Sequence, residues 1–337
     1  MIGSKKIDFK EHTSSLTNVV NGVPQGSILG PTLFLIFIND LPLHVLCSNT
    51  DLFADDATIY KCAPTLQAIE NDLQTDLRLI EQWCVQNKMF VNTNKTKSML
   101  ISHRQNQLNG MPLNLICNNE QIQCVLTQKL LGLTIHHNLQ WNAHIDTLCS
   151  RISSLISLLR RLSMYLPTEA QKIFFNAYIL PLLDYGSVVW GNTSKANIYR
   201  LNKLLKRAAR IILNKDYSAS SLQMFQDLSW FTMEQRLSFN TSVLIYKIMN
   251  NMTPLYLKSH LKPISSNTCR PLRSSSESKL YVPMVKTTAG DNSFSRTAPA
   301  MWNSIPFDIR QSKSVSIFKH RMRNYFQLTE QSVSSIA

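Results

Sequence analysis

The chain has 337 residues, 44% of them hydrophobic and 17% charged, with a formal net charge of +14 at pH 7. That suits two or three folded domains with a sizeable core and excludes a disordered chain. The seven cysteines (Cys47, Cys62, Cys84, Cys117, Cys124, Cys149, Cys269) form no Cys-x-x-Cys pair, which argues against a disulfide framework or zinc finger and fits a reducing interior.

The opening residues carry Lys5, Lys6 and Lys10 without an apolar run, so no secretion signal is expected. The apolar run Leu33 to Ile38 is too short to cross a bilayer. An intracellular protein of the cytoplasm or nucleus, with no membrane partner, is the expectation. The charge is uneven: residues 1–150 hold ten Lys/Arg against twelve Asp/Glu, a balance of −2, and residues 151–337 hold twenty-five against nine, or +16. A basic half beside a near-neutral half with clustered acids suits a catalytic portion next to one that holds a polyanion.

In chain order, Ser15-Leu16-Thr17-Asn18-Val19 alternates and predicts a strand leading to Gly22. In Gly22-Val23-Pro24-Gln25-Gly26, proline fixes its own φ and Gly26 permits close backbone approach. Gly30-Pro31 opens a helix that Pro42 ends, and its all-round apolar residues 33–38 predict burial. Then comes Phe53-Ala54-Asp55-Asp56, with Leu52 before it and Thr58-Ile59-Tyr60 after. Apolar and β-branched flanks predict a hairpin carrying the acids at its tip. Adjacent carboxylates repel unless a cation lies among them. Neighbouring strand residues face opposite ways, so a second acid from another strand is needed to complete a site. That is the arrangement of phosphoryl transfer with two Mg²⁺ ions about 3.5–4 Å apart.

Leu66, Ile69, Leu73, Leu77, Ile80 and Trp83 recur at helical spacing, and Glu70, Asp72, Asp76 and Glu81 between them read as a solvated face. The stretch Trp83 to Ile101 contains Lys95. His136, His137 and His144 lack a completing acid or Cys at ligand spacing, so they read as structural or surface residues. Helical patterns follow over 145–162 and from Thr168, where Thr168 and Gln171 have capping-box spacing, towards Pro181. Arg200, Lys203, Lys206, Arg207 and Arg210 alternate with Leu201, Leu204, Leu205, Ala208 and Ile211-Ile212, a basic amphipathic helix. A polyanion or, less well without bulky aromatic anchors, a membrane surface would suit it. A further helical run holds Leu237, Val243, Leu244, Tyr246 and Met249, and Ser265 to Ser278 is a Ser- and Pro-rich linker.

Two blocks, Gly22-Val23-Pro24-Gln25-Gly26-Ser27-Ile28-Leu29-Gly30-Pro31 with the helix after it and Phe53-Ala54-Asp55-Asp56, resemble motifs B and C of reverse transcriptases of non-LTR (LINE-type, jockey-like) retrotransposons. Lys95-Thr96 and its surroundings are similar to motif D. Leu131-Gly132-Leu133-Thr134-Ile135 resembles the strand turn that supports the primer end. Ala298-Pro299-Ala300-Met301-Trp302 and Phe318-Lys319-His320-Arg321 resemble the tail of jockey-like elements.

The resemblance implies an α+β fold: a partial reverse-transcriptase palm over 1–140, a helical thumb-like domain over 141–262, a linker or loop over 263–290 and a helical tail over 291–337. It implies RNA-directed DNA polymerisation with Asp55 and Asp56 as catalytic metal ligands and Pro24, Gln25 and Gly26 at nucleotide or template. Lys95 is then either at the triphosphate or a surface lysine. Arg200, Lys203, Lys206, Arg207 and Arg210 face the nucleic acid. The expected partners are an RNA template and RNA–DNA hybrid, with fingers and upstream palm as a further partner. The family's first catalytic aspartate, motif A, has no counterpart: Asp8 lies too close to the Gly22 turn, Asp40 ends a helix and Asp51 begins the hairpin. Half a two-metal site is expected to bind Mg²⁺ weakly or not at all, leaving either an incomplete polymerase segment or a non-catalytic nucleic-acid-binding remnant of a truncated mobile element.

Overall fold

The computed structural model describes residues 3–5, 8–9, 12–15, 17–19, 22, 26–102, 113–264 and 279–334. Pro24, Gln25 and the Ser265–Ser278 segment lie outside the described residues. Helices and short strands mix along the chain, and two compact units divide after Gln128.

In the first unit, β1 (Gly3–Lys5) pairs antiparallel with β4 (Thr17–Val19), and β2 (Asp8–Phe9) with β3 (His12–Thr13). Helix α1 (Gly30–Ile38) starts with its proline in the first turn, where a missing N–H is harmless. It leads through a 3₁₀ turn (Leu41–His44) to β5 (Asn49–Phe53) and β6 (Asp56–Tyr60), an antiparallel hairpin. Helix α2 (Leu66–Gln86) follows, capped by the Thr65 side chain. The short strands β7 (Lys97–Ser98), β8 (Ile116–Cys117), β9 (Glu120–Gln121) and β10 (Gln123–Cys124) come next, with β7 parallel to β10 and β8 antiparallel to β9. Among the described residues every sheet has two strands.

The expected burial of residues 33–38 is only partly met. Phe34 and Ile38, one turn apart, join Leu41, Ile80, Trp83 and the hairpin's Leu52 and Ile59 in a core. Leu33, Leu35, Ile36 and Phe37 stay exposed, Ile36 at 69%. Only one side of α1 meets α2, and an all-round apolar helix carries no mark of which side that is.

Strand β11 (Thr127–Leu130), which straddles the division, forms a hairpin with β12 (Leu133–His136). Leu131 and Gly132 in its turn both have positive φ, as the tight hairpin turn of opposite hand to type I demands. Helices α3 (Asn142–Leu162), α4 (Thr168–Phe174), α5 (Leu180–Asp184), α6 (Ser187–Trp190), α7 (Lys195–Leu213), α8 (Ser221–Leu228) and α9 (Met233–Met249) follow. Helix α3 buries Ile145, Leu148, Ile152, Ile156 and Leu159, the stripe its periodicity predicts, against Leu201, Leu205, Ala208 and Ile212 of α7 and the α4–α6 segment. Helix α9 serves two cores: Met233 and Leu237 belong to this one, and Phe239, Val243, Ile245, Tyr246 and Ile248 to another completed by Trp302, Ile305, Phe318 and Met322. That second core holds α12 (Phe294–Ser304) and α14 (Val315–Ser334), reached past the short α10 (Leu255–Lys258), α11 (Thr288–Asp291) and α13 (Phe307–Arg310).

Two local expectations need correcting here. Thr168 is not a capping residue, since Pro167 holds the cap position with no side-chain bond. Gln171 turns inward, its Nε2 donating to the Ser163 and Leu166 carbonyls and so closing the α3–α4 loop. Nor does Pro181 end the helix. One π turn (Phe175–Ile179) precedes it, and the junction leaves an N–H vacant where proline fits, so the path continues to Asp184.

His144 is buried among rings, 6.1 Å from Trp141 and 5.9 Å from Trp190. Its Nδ1 accepts from the Thr134 N–H, and burial holds its pKa below the ordinary 6.5. The fold thus wants the neutral ring. Its contribution to stability is complete above pH 6.5 and declines as pH falls through that value towards the lower folded pKa. Thermal melts of wild type and His144→Gln, compared at about pH 7.5 and about pH 5, should show a smaller acid-induced loss in the variant.

Candidate active site

The hairpin places its acids by strand alternation. Thr50, Leu52, Ala57 and Ile59 share the inner face, with Leu52 and Ile59 on the core, so the outer face carries Asn49, Asp51, Phe53, Asp56, Thr58 and Tyr60. Asp56 stands opposite Phe53 at the last rung, and Ala54-Asp55 forms the two-residue turn. Asp55 and Asp56 are exposed, and among the described residues neither makes an ion pair or side-chain hydrogen bond. Ala54 has φ 53°, a left-handed conformation that glycine would adopt freely and that costs an L-residue about 1–2 kcal/mol. Strain of this kind persists where surrounding structure holds it in place.

Helix α2 does the holding. The carboxylate of Asp76, fully buried, accepts from the Leu46 N–H at 2.8 Å and the Cys47 N–H at 3.0 Å, just before β5. One helical turn away, Asp72 pairs with Lys61 at 2.7 Å, just after β6. That hydrogen bond raises the Lys61 pKa, and the same ammonium donates to the Cys47 carbonyl. Both legs of the acidic hairpin are therefore tied to one helix. Elsewhere on α2, Glu70 accepts from the Asn114 N–H at 2.8 Å and Glu81 from the Asn118 N–H. The four acids expected to form a solvated face are tethers instead. Asp76 had a visible signal, because it falls on the Leu73, Leu77, Ile80 stripe at helical spacing.

The other predicted residues lie on separate elements. Gly26 has φ 87° and open space where a Cβ would be, so conformation and not crowding requires glycine there. Lys95 is exposed on an Asn92–Thr96 turn, its N–H bonded to Asn92. On α7, Lys203 is exposed and Lys206, Arg207 and Arg210 half-buried, and none of these four is paired with a carboxylate among the described residues. Arg200 differs, being engaged by Asp146 at 2.6 Å. No group of three His, Cys, Asp or Glu side chains that could hold a metal occurs among the described residues.

Residues 2–135 match the reverse transcriptase (RNA-dependent DNA polymerase) family model, and the acidic hairpin lies within the matched stretch. The relatives are polymerases of mobile elements, in line with the LINE-type resemblance of the motifs. The chain is 26% identical over 231 residues to the RNA-directed DNA polymerase from mobile element jockey of Drosophila melanogaster, covering 64% of this chain and 24% of that protein. It is 28% identical over 234 residues to the probable RNA-directed DNA polymerase from transposon BS of the same species, covering 66% and 25%. A retrovirus-related Pol polyprotein from a type-1 retrotransposable element R1 of Bradysia coprophila is 26% identical over 217 residues, 63% and 21%. The chain thus spans about a quarter of the length of these relatives. The aligned stretches are longer than the family match, so the likeness continues into the helical unit. No solved structure matches.

Proposed function

We propose that this chain is part of an RNA-directed DNA polymerase, contributing Asp55 and Asp56 to a nucleotidyl-transfer site and the basic helical unit to holding template and primer. The observation that carries the reading is the exposed acid pair on a strained turn whose two legs are fixed to α2. Hard carboxylate oxygens are the donors Mg²⁺ takes, and Asp55 and Asp56 are the residues that would hold it. When bound, it lowers the pKa of the attacking hydroxyl and neutralises charge on the leaving oxygens.

The chain's own residues do the positioning. The α2 tethers prevent the turn from rotating its acids away, and the inner face of Leu52 and Ile59 keeps the outer face turned to solvent. Lys95 supplies a cation for a triphosphate, and Gly26, with Pro24 and Gln25, lies at the nucleotide or template. The carboxylate that completes the two-metal set is placed outside the described residues. Within the same proposal, residues 1–140 act as palm, 141–262 as thumb and 291–337 as a helical tail. A non-catalytic nucleic-acid-binding role is the second reading, favoured by the +16 balance of residues 151–337.

Primer extension on an RNA template tests the choice. Alone, the chain should bind template–primer in a salt-sensitive way and extend nothing. Combined with a jockey-type palm segment carrying the motif A aspartate, it should extend, and Asp55→Asn or Asp56→Asn should each reduce extension by orders of magnitude. Extension indifferent to both substitutions would remove the catalytic role.

A further inference from the structure

We propose that the outward stripe of α7 is a stacking site for unpaired bases of single-stranded nucleic acid. The inference rests on the nucleic-acid reading above and specifies which form of the polymer this surface takes.

Tyr199, Lys203, Lys206 and Arg210 are spaced by four, three and four, so they lie on one stripe of the helix. The stripe is about 16 Å long at the α-helical rise. An aromatic ring stands at each end, Tyr199 falling inside a helix that begins at Lys195, ahead of the Arg200 start from which the sequence pattern showed no aromatic anchor. Tyr199 is 58% exposed with the Lys203 Nζ 4.6 Å from its ring centre. Beyond the helix end, Tyr217 is 87% exposed with the Arg210 guanidinium carbon 4.5 Å from its ring centre. Arg210 Nη2 also donates to the Tyr217 carbonyl, while its Nε is enclosed without a hydrogen-bond partner. Each ring thus has a cation beside it, while most of the residue's surface stays exposed.

A cation–π contact at an exposed position orients the ring but does not bury it. What remains is a flat, pre-oriented apolar face beside positive charge. Phosphate contact alone needs the cations and has no use for the rings. In a duplex, base faces are already occupied by their neighbours, so only an unpaired base can add itself to a tyrosine face. Arg200, neutralised by Asp146, lies off the stripe. Tyrosines in the cores, such as Tyr246, are enclosed and hydrogen-bonded, in contrast to these two.

Fluorescence anisotropy of the intact chain with labelled oligouridine RNA and with a fully paired RNA duplex, at several salt concentrations, tests this. Tyr199→Ala and Tyr217→Ala should each weaken oligouridine binding on the order of tenfold, leaving duplex binding and the salt slope nearly unchanged. Tyr→Phe at either position should keep wild-type affinity, because the ring face remains. Lys203→Gln should weaken both RNAs and make the salt dependence shallower by about one unit. Salt-sensitive RNA binding that ignores both Tyr→Ala changes, or that falls equally for duplex, overturns the stacking site and leaves the polymerase reading intact. Failure of the unmodified chain to bind either RNA overturns both. Tyr-dependent capture by anionic phospholipid vesicles without RNA binding assigns the stripe to a membrane surface and overturns the proposal.

Discussion

Asp76→Ala should lower the unfolding free energy by about 2–4 kcal/mol, because two backbone N–H donors lose a carboxylate acceptor that solvent replaces only in part. Asp76 itself is wholly enclosed, whereas Leu46 is exposed, so water can reach one of the donors and the upper end of the range is not expected. Asp76→Asn, which keeps one acceptor oxygen at the same position, should cost roughly half as much. Lys61→Met, breaking the partly exposed pair with Asp72, should cost clearly less than either Asp76 change, because solvent screens the pair. Urea unfolding followed by hydrogen exchange of the Asn49–Phe53 and Asp56–Tyr60 amides, in the hairpin that packs on the Trp83 core, measures all three. If Asp76→Ala unfolds within about 0.5 kcal/mol of wild type, the tether contributes nothing and the hairpin is held by Leu52 and Ile59 alone.

How much of this was legible beforehand differs by element for physical reasons. The α3 stripe from Ile145 to Leu159 and the basic face of α7 follow from helical period, because each helix has one apolar side and one partner face. The acidic hairpin follows from β-branched and aromatic flanks that favour extended backbone. Its turn does not: no Gly or Asn marks Ala54 as left-handed, and only the surrounding tethers make that conformation tolerable. The α2 acids mislead because an acid on a helix surface looks the same whether it faces water or a neighbouring loop's N–H groups. Only Asp76 betrays itself, by standing within the apolar stripe. The exposed side of α1 is illegible for the converse reason, since residues apolar on every side do not reveal where the neighbour is. The motif resemblance rests on the block over residues 22–31 and on Phe53-Ala54-Asp55-Asp56, whose acids the fold leaves exposed. Such residues contribute little to the core and are therefore invisible to periodicity.

Trp190→Ala should destabilise the helical unit by about 3–5 kcal/mol, the range for removing a fully enclosed large aromatic side chain. The indole is 0% exposed, meets the His144 ring at 5.9 Å and donates from Nε1 to the Tyr185 carbonyl at 2.9 Å. Around it the Asp184–Trp190 segment is bound on several sides. Asp184 receives Arg236 at 3.2 Å and Asn240 at 2.9 Å, Asn240 also donates to Ser187, and the Tyr185 hydroxyl donates to the Leu131 carbonyl at the β11–β12 turn. A Cβ on Gly186, already at φ 59°, would come within 2.8 Å of Leu133 in that same hairpin. The cavity left by Trp190→Ala thus opens beneath a segment that cannot shift to fill it without breaking these bonds, which argues for the upper part of the range. Trp190→Phe keeps most of the ring volume and loses the Nε1 donor, so it should cost about 1–2 kcal/mol from the unpaired carbonyl. Hydrogen exchange separates the local from the global consequence. In Trp190→Ala the Leu133–His136 amides should exchange faster than the Ile152–Leu159 amides do, relative to wild type, because the hairpin turn is anchored through Tyr185 and the middle of α3 is not. Uniform acceleration across both segments would mean that the loss is purely global and that this segment is no anchor for the hairpin.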